Sequence, residues 1–382
     1  LINKFNNMHI TKIETVQITD LQRYLWVRIH TDDGLVGLGE TYIHASSARL
    51  MIEEVYAPEF LLGQDPFQIE KIWDSIFERI SFAGWCGAEI RAMSAIDIAL
   101  WDILGKYSEL PVYQLLGGKY RDLIPIYNTC GLEDQYELNN NPVDLAKDLL
   151  ANGIRAMKIW PFDEIAKVNN GQYISPDGLK RAISPIQKIR HSLGNSIDIA
   201  VEFHGYWNLP CAILIAQALE EYQVLWLEDI INPDNLYAYE HLKEKTSIPI
   251  ILSERLMTRF QFLPILQRGL AQILNPDVEW CGGISEAKKI ASLAEIYHVP
   301  VAFHNYGGPI LNFASAHLAA NIPNLMILET GRTLISRWSQ EVIDQAIPIS
   351  NGHFLVPEGP GLGVNLSNDF LQRSDLIIRV LQ

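Results

Sequence analysis

Three glutamates end three successive apolar runs, and the spacing between them is equal. Glu202, Glu228 and Glu254 follow one another at intervals of 26 residues (228 − 202 and 254 − 228). A buried strand that ends in an acid, once per strand-plus-helix unit, is typical of a parallel barrel, whose functional groups lie at the carboxyl ends of several strands. Converging carboxylates raise one another's pKa unless a cation is present. Because oxygen-only ligands favour Mg²⁺, the pattern predicts a magnesium-dependent barrel enzyme.

Two histidines accompany these acids. His204 stands two residues after Glu202, and the period of two along a strand directs both side chains to the mouth of the barrel. His304 follows the apolar run 300–303, and Asp277 ends the preceding run 273–277. Neighbouring strands bring Asp277 close enough to orient the imidazole of His304 and raise its basicity. We therefore expect these two residues to act together in catalysis.

Further strand ends add a lysine and a fourth glutamate. Lys158 shares a face with Trp160 at the end of the second strand, and beside a metal it either binds a substrate carboxylate or acts as an acid or base. Glu329 follows the run 325–328 and closes the ring on the eighth strand. A Mg²⁺ ion that holds a substrate carboxylate stabilises the enediolate left when the α-proton departs. An acid then either returns a proton to carbon, giving epimerisation, or protonates a β-hydroxyl and expels water, and the residues leave both outcomes open.

The predicted secondary structure that positions these residues differs between the first third of the chain and the rest. Residues 9–45 are predicted to form antiparallel β-structure, with a turn at 31–34, and residues 46–118 to form helices. From about residue 122, strands alternate with helices such as 283–297, which is the pattern of a parallel α/β domain. Eight strands favour a closed barrel over an open sheet. They are predicted near residues 124–130, 154–160, 197–203, 224–228, 249–253, 271–276, 299–303 and 325–329.

Composition narrows the class of protein. The chain has 382 residues and a net charge of −15, which argues against binding to nucleic acid. Its four cysteines are far apart, which is typical of reduced thiols in a cytosolic protein. We expect no secretory signal and no membrane span, and we interpret Leu1–Met8 as a short leader before the fold.

Several motifs together resemble the enolase superfamily, mandelate racemase subgroup, over nearly the whole chain. They are the hairpin that ends Gly37-Leu38-Gly39-Glu40, the segments 95–102 and 111–118, Trp226-Leu227-Glu228-Asp229, Asn275-Pro276-Asp277 and Gly282-Gly283-Ile284-Ser285-Glu286-Ala287. The resemblance implies a TIM-like (β/α)7β barrel with an N-terminal α+β capping domain that the C-terminal tail completes. The implied boundaries are 9–121 for the capping domain, 122–334 for the barrel and 335–382 for a segment that packs back on the capping domain.

The resemblance also implies roles for the residues at the strand ends. Glu202, Glu228 and Glu254 would bind Mg²⁺, His304 with Asp277 would form the acid/base pair, and Glu329 would lie beside the substrate carboxylate. The histidine two residues after the first ligand resembles acid-sugar dehydratases of the galactonate dehydratase type, in which it protonates the leaving hydroxyl. The implied reaction turns an aldonate or aldarate into a 2-keto-3-deoxy sugar acid. The alternative is an epimerase or cycloisomerase that acts on a sugar acid, an anhydro sugar acid or a lactone through the same enediolate.

Two positions depart from the subgroup's pattern. The first ligand is Glu202 where the subgroup more often has Asp, and Trp160 stands where a second lysine is usual. The lone lysine weakens the case for a racemase with two bases, and it favours an electrostatic or carboxylate-binding role for Lys158.

Substrate choice in this family comes from loops of the capping domain. The expected substrate-binding residues are Tyr42, His44, Trp85, Trp160 and Tyr306. The expected partner is a small-molecule carboxylate, and the resemblance implies a homo-oligomer. A barrel that has lost activity and serves only as a binding or structural protein is a further alternative, which the intact set of ligands, dyad and Glu329 disfavours.

Overall fold

A computed structural model describes residues 8–19, 23–131, 138, 140–332 and 339–382. The predicted leader therefore lies outside the described residues, except for Met8. An antiparallel sheet opens the chain, with its strands in the order β13-β1-β2-β3. Gly34 takes a φ of 84° in the turn between β2 and β3, a backbone conformation that favours glycine. The strands are β1 (Ile10–Ile18), β2 (Tyr24–Thr31), β3 (Val36–Tyr42) and β13 (Leu376–Leu381).

Helices cover one face of this sheet, as predicted for residues 46–118. The longest of them packs on β3 at Gly37 and Gly39, where a Cβ atom would overlap the carbonyl oxygens of Ala99 and Ala95. Glycine thus allows the helix and the strand to approach closely. The helical elements are α1 (Ala45–Met51), a π-helical segment (Ile52–Leu61), α2 (Ile69–Ser81), α3 (Ala88–Ser108) and α4 (Val112–Leu115).

The second half of the chain forms a closed parallel barrel. Strands β4 to β9 pair in sequence order, and isolated bridges at Leu274–Val301 and Val301–Leu325 continue the ring. The last strand, β10, pairs with β4 and closes it. The strands are β4 (Leu123–Thr129), β5 (Ala156–Ile159), β6 (Asp198–Glu202), β7 (Leu227–Glu228), β8 (Ile250–Leu252), β9 (Ile273–Leu274) and β10 (Leu328–Gly331).

Helices surround the barrel and bury apolar faces against it. Helix α7 begins at Pro176, and the Ser175 hydroxyl accepts a hydrogen bond from the N–H of Gly178 at 3.0 Å, which satisfies a free donor at the helix start. The helices are α5 (Pro142–Ala151), α6 (Asp163–Asn169), α7 (Pro176–Leu193), α8 (Leu209–Leu219), α9 (Leu236–Lys243), α10 (Thr258–Arg268), α11 (Gly283–Ile296) and α12 (Pro309–Asn321), with a 3₁₀ turn at Glu220–Tyr222.

The C-terminal segment contacts both halves of the molecule. Its hairpin, β11 (Ile349–Ser350) and β12 (His353–Leu355), pairs with the first residues of β4 in the barrel. Its last strand, β13, pairs with β1 in the N-terminal sheet. The segment therefore does more than return to the N-terminal sheet, and the proposed boundaries at 121 and 334 stay a prediction. The segment also holds two short helices, α13 (Ser339–Val342) before β11 and α14 (Asn368–Leu371) between β12 and β13.

A cluster of buried side chains inside the barrel combines large and small residues. Tyr127 and Trp226 lie edge to face at a ring-centroid distance of 5.3 Å, while alanines face inward from other strands. The barrel is thus a packed core, and its chemistry is confined to the strand ends.

Among the described helices, none has both the length and the apolar character needed to cross a bilayer.

Candidate active site

The three spaced glutamates meet at one end of the barrel. Glu202 is the last residue of β6, Glu228 is the last residue of β7, and Glu254 lies two residues beyond β8. One carboxylate oxygen from each lies within 4.8 Å of the others, and all three side chains are buried. The structure therefore brings together the set that the sequence predicts.

This cluster fits a divalent cation by its donor chemistry. Burial and then the neighbouring charge of Glu254 raise the pKa of Glu202, and burial raises the pKa of Glu228 well above its usual range. Oε2 of Glu254 is buried and accepts no hydrogen bond from the described residues. A buried carboxylate oxygen without a donor is costly unless a cation binds it. Oxygen-only donors of this kind suit a hard ion such as Mg²⁺.

Neighbouring side chains fix the orientation of Glu228. The indole Nε1–H of Trp226 donates to Oε2 at 2.9 Å, and the amide of Asn275 donates to Oε1 at 2.9 Å. Both partners lie in motifs that indicate the family, but the motifs alone do not identify this contact. The hydrogen bonds leave Glu228 few rotamers, which prepares it to bind a metal ion.

Lys158 is buried among three of the glutamates. Its Nζ atom lies 2.6 Å from Oε1 of Glu228, 3.0 Å from Oε1 of Glu329 and 3.6 Å from Oε2 of Glu202. Burial opposes the charged form, but Glu228 and Glu329 outweigh it and hold the pKa of Lys158 well above its usual range. An ammonium in this position balances negative charge at the site, and the electrostatic or carboxylate-binding role expected for Lys158 stays a prediction.

His304 and Asp277 form a hydrogen-bonded pair at the neighbouring strand ends. Nδ1 of His304 lies 2.7 Å from Oδ2 of Asp277, and the two residues are joined by a backbone bridge. The expected proximity is therefore observed. If Nδ1–H donates to Asp277, Nε2 remains free to accept a proton. Burial alone would lower the pKa of His304, but the carboxylates of Glu329 and Asp277 outweigh burial and raise it to about 9.

Glu329 links the histidine to the lysine. Its Oε2 atom lies 3.8 Å from Nε2 of His304 and accepts the N–H of Asn305 at 2.9 Å, while Thr129 donates to Oε1. Burial opposes ionisation, but Lys158 and then His304 outweigh it and lower the pKa of Glu329 to about 2. Glu329 is thus an anion that lies close to both Lys158 and His304.

His204 lies outside the strand that was expected to carry it. Strand β6 ends at Glu202, and His204 has a φ of 51°, so strand alternation does not set the direction of its side chain. Its Nδ1 atom instead lies 2.7 Å from Oδ2 of Asp163, and its ring lies edge to face with Trp160 at a centroid distance of 5.6 Å. The backbone N–H of His204 donates to Oε1 of Glu202 at 2.7 Å, which places His204 beside the glutamate cluster. Burial opposes ionisation of Glu254, but the charges of His304, Lys158, Arg255 and His204 outweigh it and lower the pKa of Glu254.

The residues predicted to bind substrate occupy different depths. Trp160 and Tyr306 are partly buried and lie edge to face at 6.2 Å, beside His204. Tyr42 is buried, and its hydroxyl donates to Oδ2 of Asp277 at 3.3 Å. His44 is exposed before α1, and Trp85 packs on Phe77 within the N-terminal core. Substrate binding by all five stays a prediction.

Several residues near these groups are missed by sequence reasoning. Asp163, at the start of α6, contacts His204, and Trp280 lies 5.4 Å from the His304 ring with Arg91 stacked on its indole at 3.9 Å. Asp229 accepts the Ser253 hydroxyl at 2.5 Å. The acid directly after Glu228 was a visible signal for Asp229, but the others are brought close only by tertiary packing.

Two family models match the chain in the order that the fold shows. The model described as "Mandelate racemase / muconate lactonizing enzyme, N-terminal domain" matches residues 6–117. The model described as "Enolase C-terminal domain-like" matches residues 142–370. The chain belongs to the enolase superfamily, in its mandelate racemase subgroup.

Individual relatives cover almost the whole chain. It is 42% identical to a crystal structure from Agrobacterium tumefaciens described as an enolase of the mandelate racemase subgroup, with a TM-score of 0.91 and 98% of each chain covered. It is 32% identical to the D-xylonate dehydratase of Haloferax volcanii, over 95% of this chain and 88% of that protein. It is also 32% identical to the D-galactonate dehydratase of Pectobacterium atrosepticum, over 95% of this chain and 94% of that protein. The predicted fold, a capped TIM-like barrel of this superfamily, is confirmed.

Proposed function

We propose that this protein is a hydro-lyase that dehydrates an aldonate or aldarate to a 2-keto-3-deoxy sugar acid and requires Mg²⁺. The observation that carries the proposal is the position of two histidines beside one cluster of buried glutamates: the backbone N–H of His204 donates to Oε1 of Glu202 at 2.7 Å, and His304 is paired with Asp277 at a neighbouring strand end. Dehydration needs a base at C2 and an acid at the C3 hydroxyl, and one histidine is available for each. The two sugar-acid dehydratases among the relatives support the same reaction class.

Glu202, Glu228 and Glu254 would hold the metal ion. When bound there, Mg²⁺ supplies positive charge beside the substrate carboxylate and so favours loss of the neighbouring proton. The buried ammonium of Lys158 and carboxylate of Glu329 lie 3.0 Å apart, so their opposite charges offset each other beside the metal position.

His304 removes the C2 proton through Nε2. Asp277 holds Nδ1–H at 2.7 Å, which selects the tautomer with a free Nε2 and stabilises the imidazolium that forms. A cation in the glutamate cluster would lower the pKa of His304 from the high value that Glu329 and Asp277 impose, and so favour the neutral base.

His204 donates a proton to the C3 hydroxyl, which leaves as water. The electron pair of the broken C2–H bond becomes the C2–C3 double bond, and the C3–O pair leaves with the hydroxyl. The resulting enol loses the proton of its C2 hydroxyl to solvent and takes up a proton at C3 from solvent, and so becomes the 2-keto acid. Solvent then reprotonates His204 and removes the proton from His304, so the cycle balances.

The test is a Mg²⁺-supplemented panel of aldonates and aldarates, including D-xylonate and D-galactonate, assayed for α-keto acid. The proposal expects keto acid from at least one member and none after chelation of the metal. In deuterated solvent, recovered substrate that contains deuterium and has lost no water would instead show an epimerase. If no member of the panel gives α-keto acid, the result would favour a cyclic substrate.

Two variants separate the roles of the histidines. H304N is expected to lose both keto acid formation and deuterium exchange at C2, while H204N loses elimination and keeps exchange. H191N is the matched control, because His191 is exposed on α7 away from the strand ends. Normal elimination by H204N would show that His204 is not the acid.

A further inference from the structure

Two buried glutamates from different parts of the chain meet behind the His304–Asp277 pair. Glu40 lies on β3 of the N-terminal sheet, and Glu279 lies in the barrel two residues after Asp277. Both side chains are 0% exposed. The hydroxyl of Thr41, next to Glu40, donates to the carbonyl of Glu279 at 3.2 Å, which brings the two segments into contact. Each carboxyl group shifts the pKa of the other as a hydrogen-bonding neighbour. Two carboxylates are both acceptors, so a hydrogen bond between them requires one proton.

The donors around the pair indicate which glutamate carries that proton. Glu40 accepts the indole N–H of Trp26 at 2.5 Å and the backbone N–H of Leu311 at 3.1 Å. Neither oxygen of Glu279 accepts an N–H or O–H from any described residue. Donors of this kind stabilise the ionised form, so Glu40 is the anion and Glu279 the neutral acid.

The surrounding charges also favour Glu40 as the anion and Glu279 as the neutral acid. Burial and then the charge of Glu40 raise the pKa of Glu279 well above its usual range. Burial also raises the pKa of Glu40, to about 6, although the donors to Glu40 limit the rise. Asp277 is a second anion beside Glu279, whose own N–H donates to it at 2.8 Å. The ionisable groups around the pair include Tyr24, Tyr42, Arg91 and Asp277.

The pair touches both segments that hold the catalytic dyad. Leu311 lies in the first turn of α12, which begins just after the segment from His304 to Gly308, and a Cβ atom at Gly308 would overlap the Glu40 carboxyl. A carboxylate at a helix N-terminus is stabilised by the helix dipole. Glu40 therefore fixes the segment that follows His304, while Glu279 fixes the segment that follows Asp277.

We propose that Glu279 carries a proton at neutral pH and donates it to Glu40, and that this pair positions the His304–Asp277 dyad. Both glutamates act as positioning residues, because their contacts are with the segments that hold the dyad: Glu40 accepts the N–H of Leu311, and the N–H of Glu279 donates to Asp277. The pair also joins the N-terminal sheet to the barrel at the point where the base is held.

Infrared difference spectroscopy of the intact protein tests the proton without any substrate. The wild-type spectrum minus the E279Q spectrum is expected to show one carbonyl band of a protonated carboxylic acid at pH 7, and this band shifts in D₂O. An amide at 279 still donates to Glu40, so E279Q should melt within about 2 °C of wild type. E40Q removes the anion and should lower the melting temperature by about 5 °C or more. Absence of the band, or equal destabilisation by both variants, would overturn the assignment.

Proton NMR tests the positioning role, again without substrate. The Nδ1 proton of His304 should resonate far downfield because of its hydrogen bond to Asp277, and H304N identifies it by its loss. E279L is expected to shift or broaden this signal, and E279Q to restore it. A signal that is the same in all folded variants would show that the pair only holds the two parts of the chain together.

Discussion

Nδ1 of His204 lies 2.7 Å from Oδ2 of Asp163, but the ring is not aligned for a hydrogen bond. His304 and Asp277 are the same distance apart and do form one. The site thus contains two carboxylate–imidazole pairs that differ in alignment. The aligned pair suits a base whose tautomer must be fixed, whereas the other leaves the imidazole free to turn as it gives up a proton.

The difference in alignment predicts a ranking of two variants. D277N should lower kcat for dehydration by about 10³-fold, because it removes the group that selects the His304 tautomer. D163N should lower kcat only about tenfold, since Asp163 attracts His204 without a well-formed hydrogen bond. Keto acid formation at saturating substrate measures both effects. E164Q is the control for Asp163, because Glu164 is the next residue on α6 and is exposed. Equal losses in D163N and D277N would contradict the ranking.

Loss of the buried lysine should make the fold depend on metal. K158M removes the cation that lies 2.6 Å from Glu228 and 3.0 Å from Glu329, and it should lower the free energy of unfolding by about 3–5 kcal/mol without divalent ions. Added Mg²⁺ should then raise the melting temperature of K158M more than that of wild type, because the ion replaces the missing charge. K147M at an exposed lysine is the control. Equal shifts with Mg²⁺ would show that Lys158 and the metal do not share the same carboxylates.

His317 should make the fold sensitive to mild acid. Its Nε2–H donates to the carbonyl of Leu362 at 3.0 Å and its Nδ1 accepts the N–H of Tyr113 at 3.3 Å, so the native ring is neutral. Burial lowers the pKa of His317 from 6.5 to about 4. The unfolded chain therefore binds a proton that the native chain does not, and stability falls by roughly 3 kcal/mol as pH drops through this window. Urea denaturation at pH 7 and pH 4.5 should show a smaller fall in H317Q, and parallel curves would contradict this.

Asp97 should have the opposite dependence on pH. Burial raises its pKa from 3.8 to about 7; Oδ2 accepts the N–H of Ser285 at 3.0 Å, and Oδ1 accepts no hydrogen bond from the described residues. Between these two pH values the native state keeps a proton on Asp97 that the unfolded state releases. The contribution of Asp97 to the free energy of unfolding is therefore fully present below about pH 3.8 and is lost as the pH rises through about 7. D97N should match wild type at pH 4 and exceed its free energy of unfolding by roughly 2–4 kcal/mol at pH 8. D74N, at an exposed position on α2, is the control, and a D97N that is weaker at pH 8 would refute the prediction.

The ends of the strands were predictable from the sequence because the residues change there from apolar to charged within one or two positions. Apolar runs that stop at Glu202 and Glu228 coincide with β6 and β7, and the adjacency of two runs placed Asp277 beside His304. Local sequence holds this information, since a parallel strand is buried along its length and open only at its end.

Contacts that depend on distant segments were not predictable. Asp163 lies on a helix whose distance from His204 is set by the barrel, and Glu40 meets Glu279 only when the N-terminal sheet docks. The side-chain direction of His204 also differs from the expected alternation, because the strand ends two residues earlier. In each case the partner is chosen by packing rather than by spacing along the chain.

Pairing of β13 with β1 has a consequence for how the protein is made. Strand β1 can pair on this edge only after β13 has been synthesised, so the N-terminal sheet is incomplete while the barrel is being synthesised. Domains generally fold from the N-terminus during translation, but here the N-terminal unit exposes an unpaired strand edge until β13 has been synthesised. We therefore expect nascent chains that stop before Leu376 to be recognised by chaperones at the edge of β1, even when every residue of the glutamate cluster is already present.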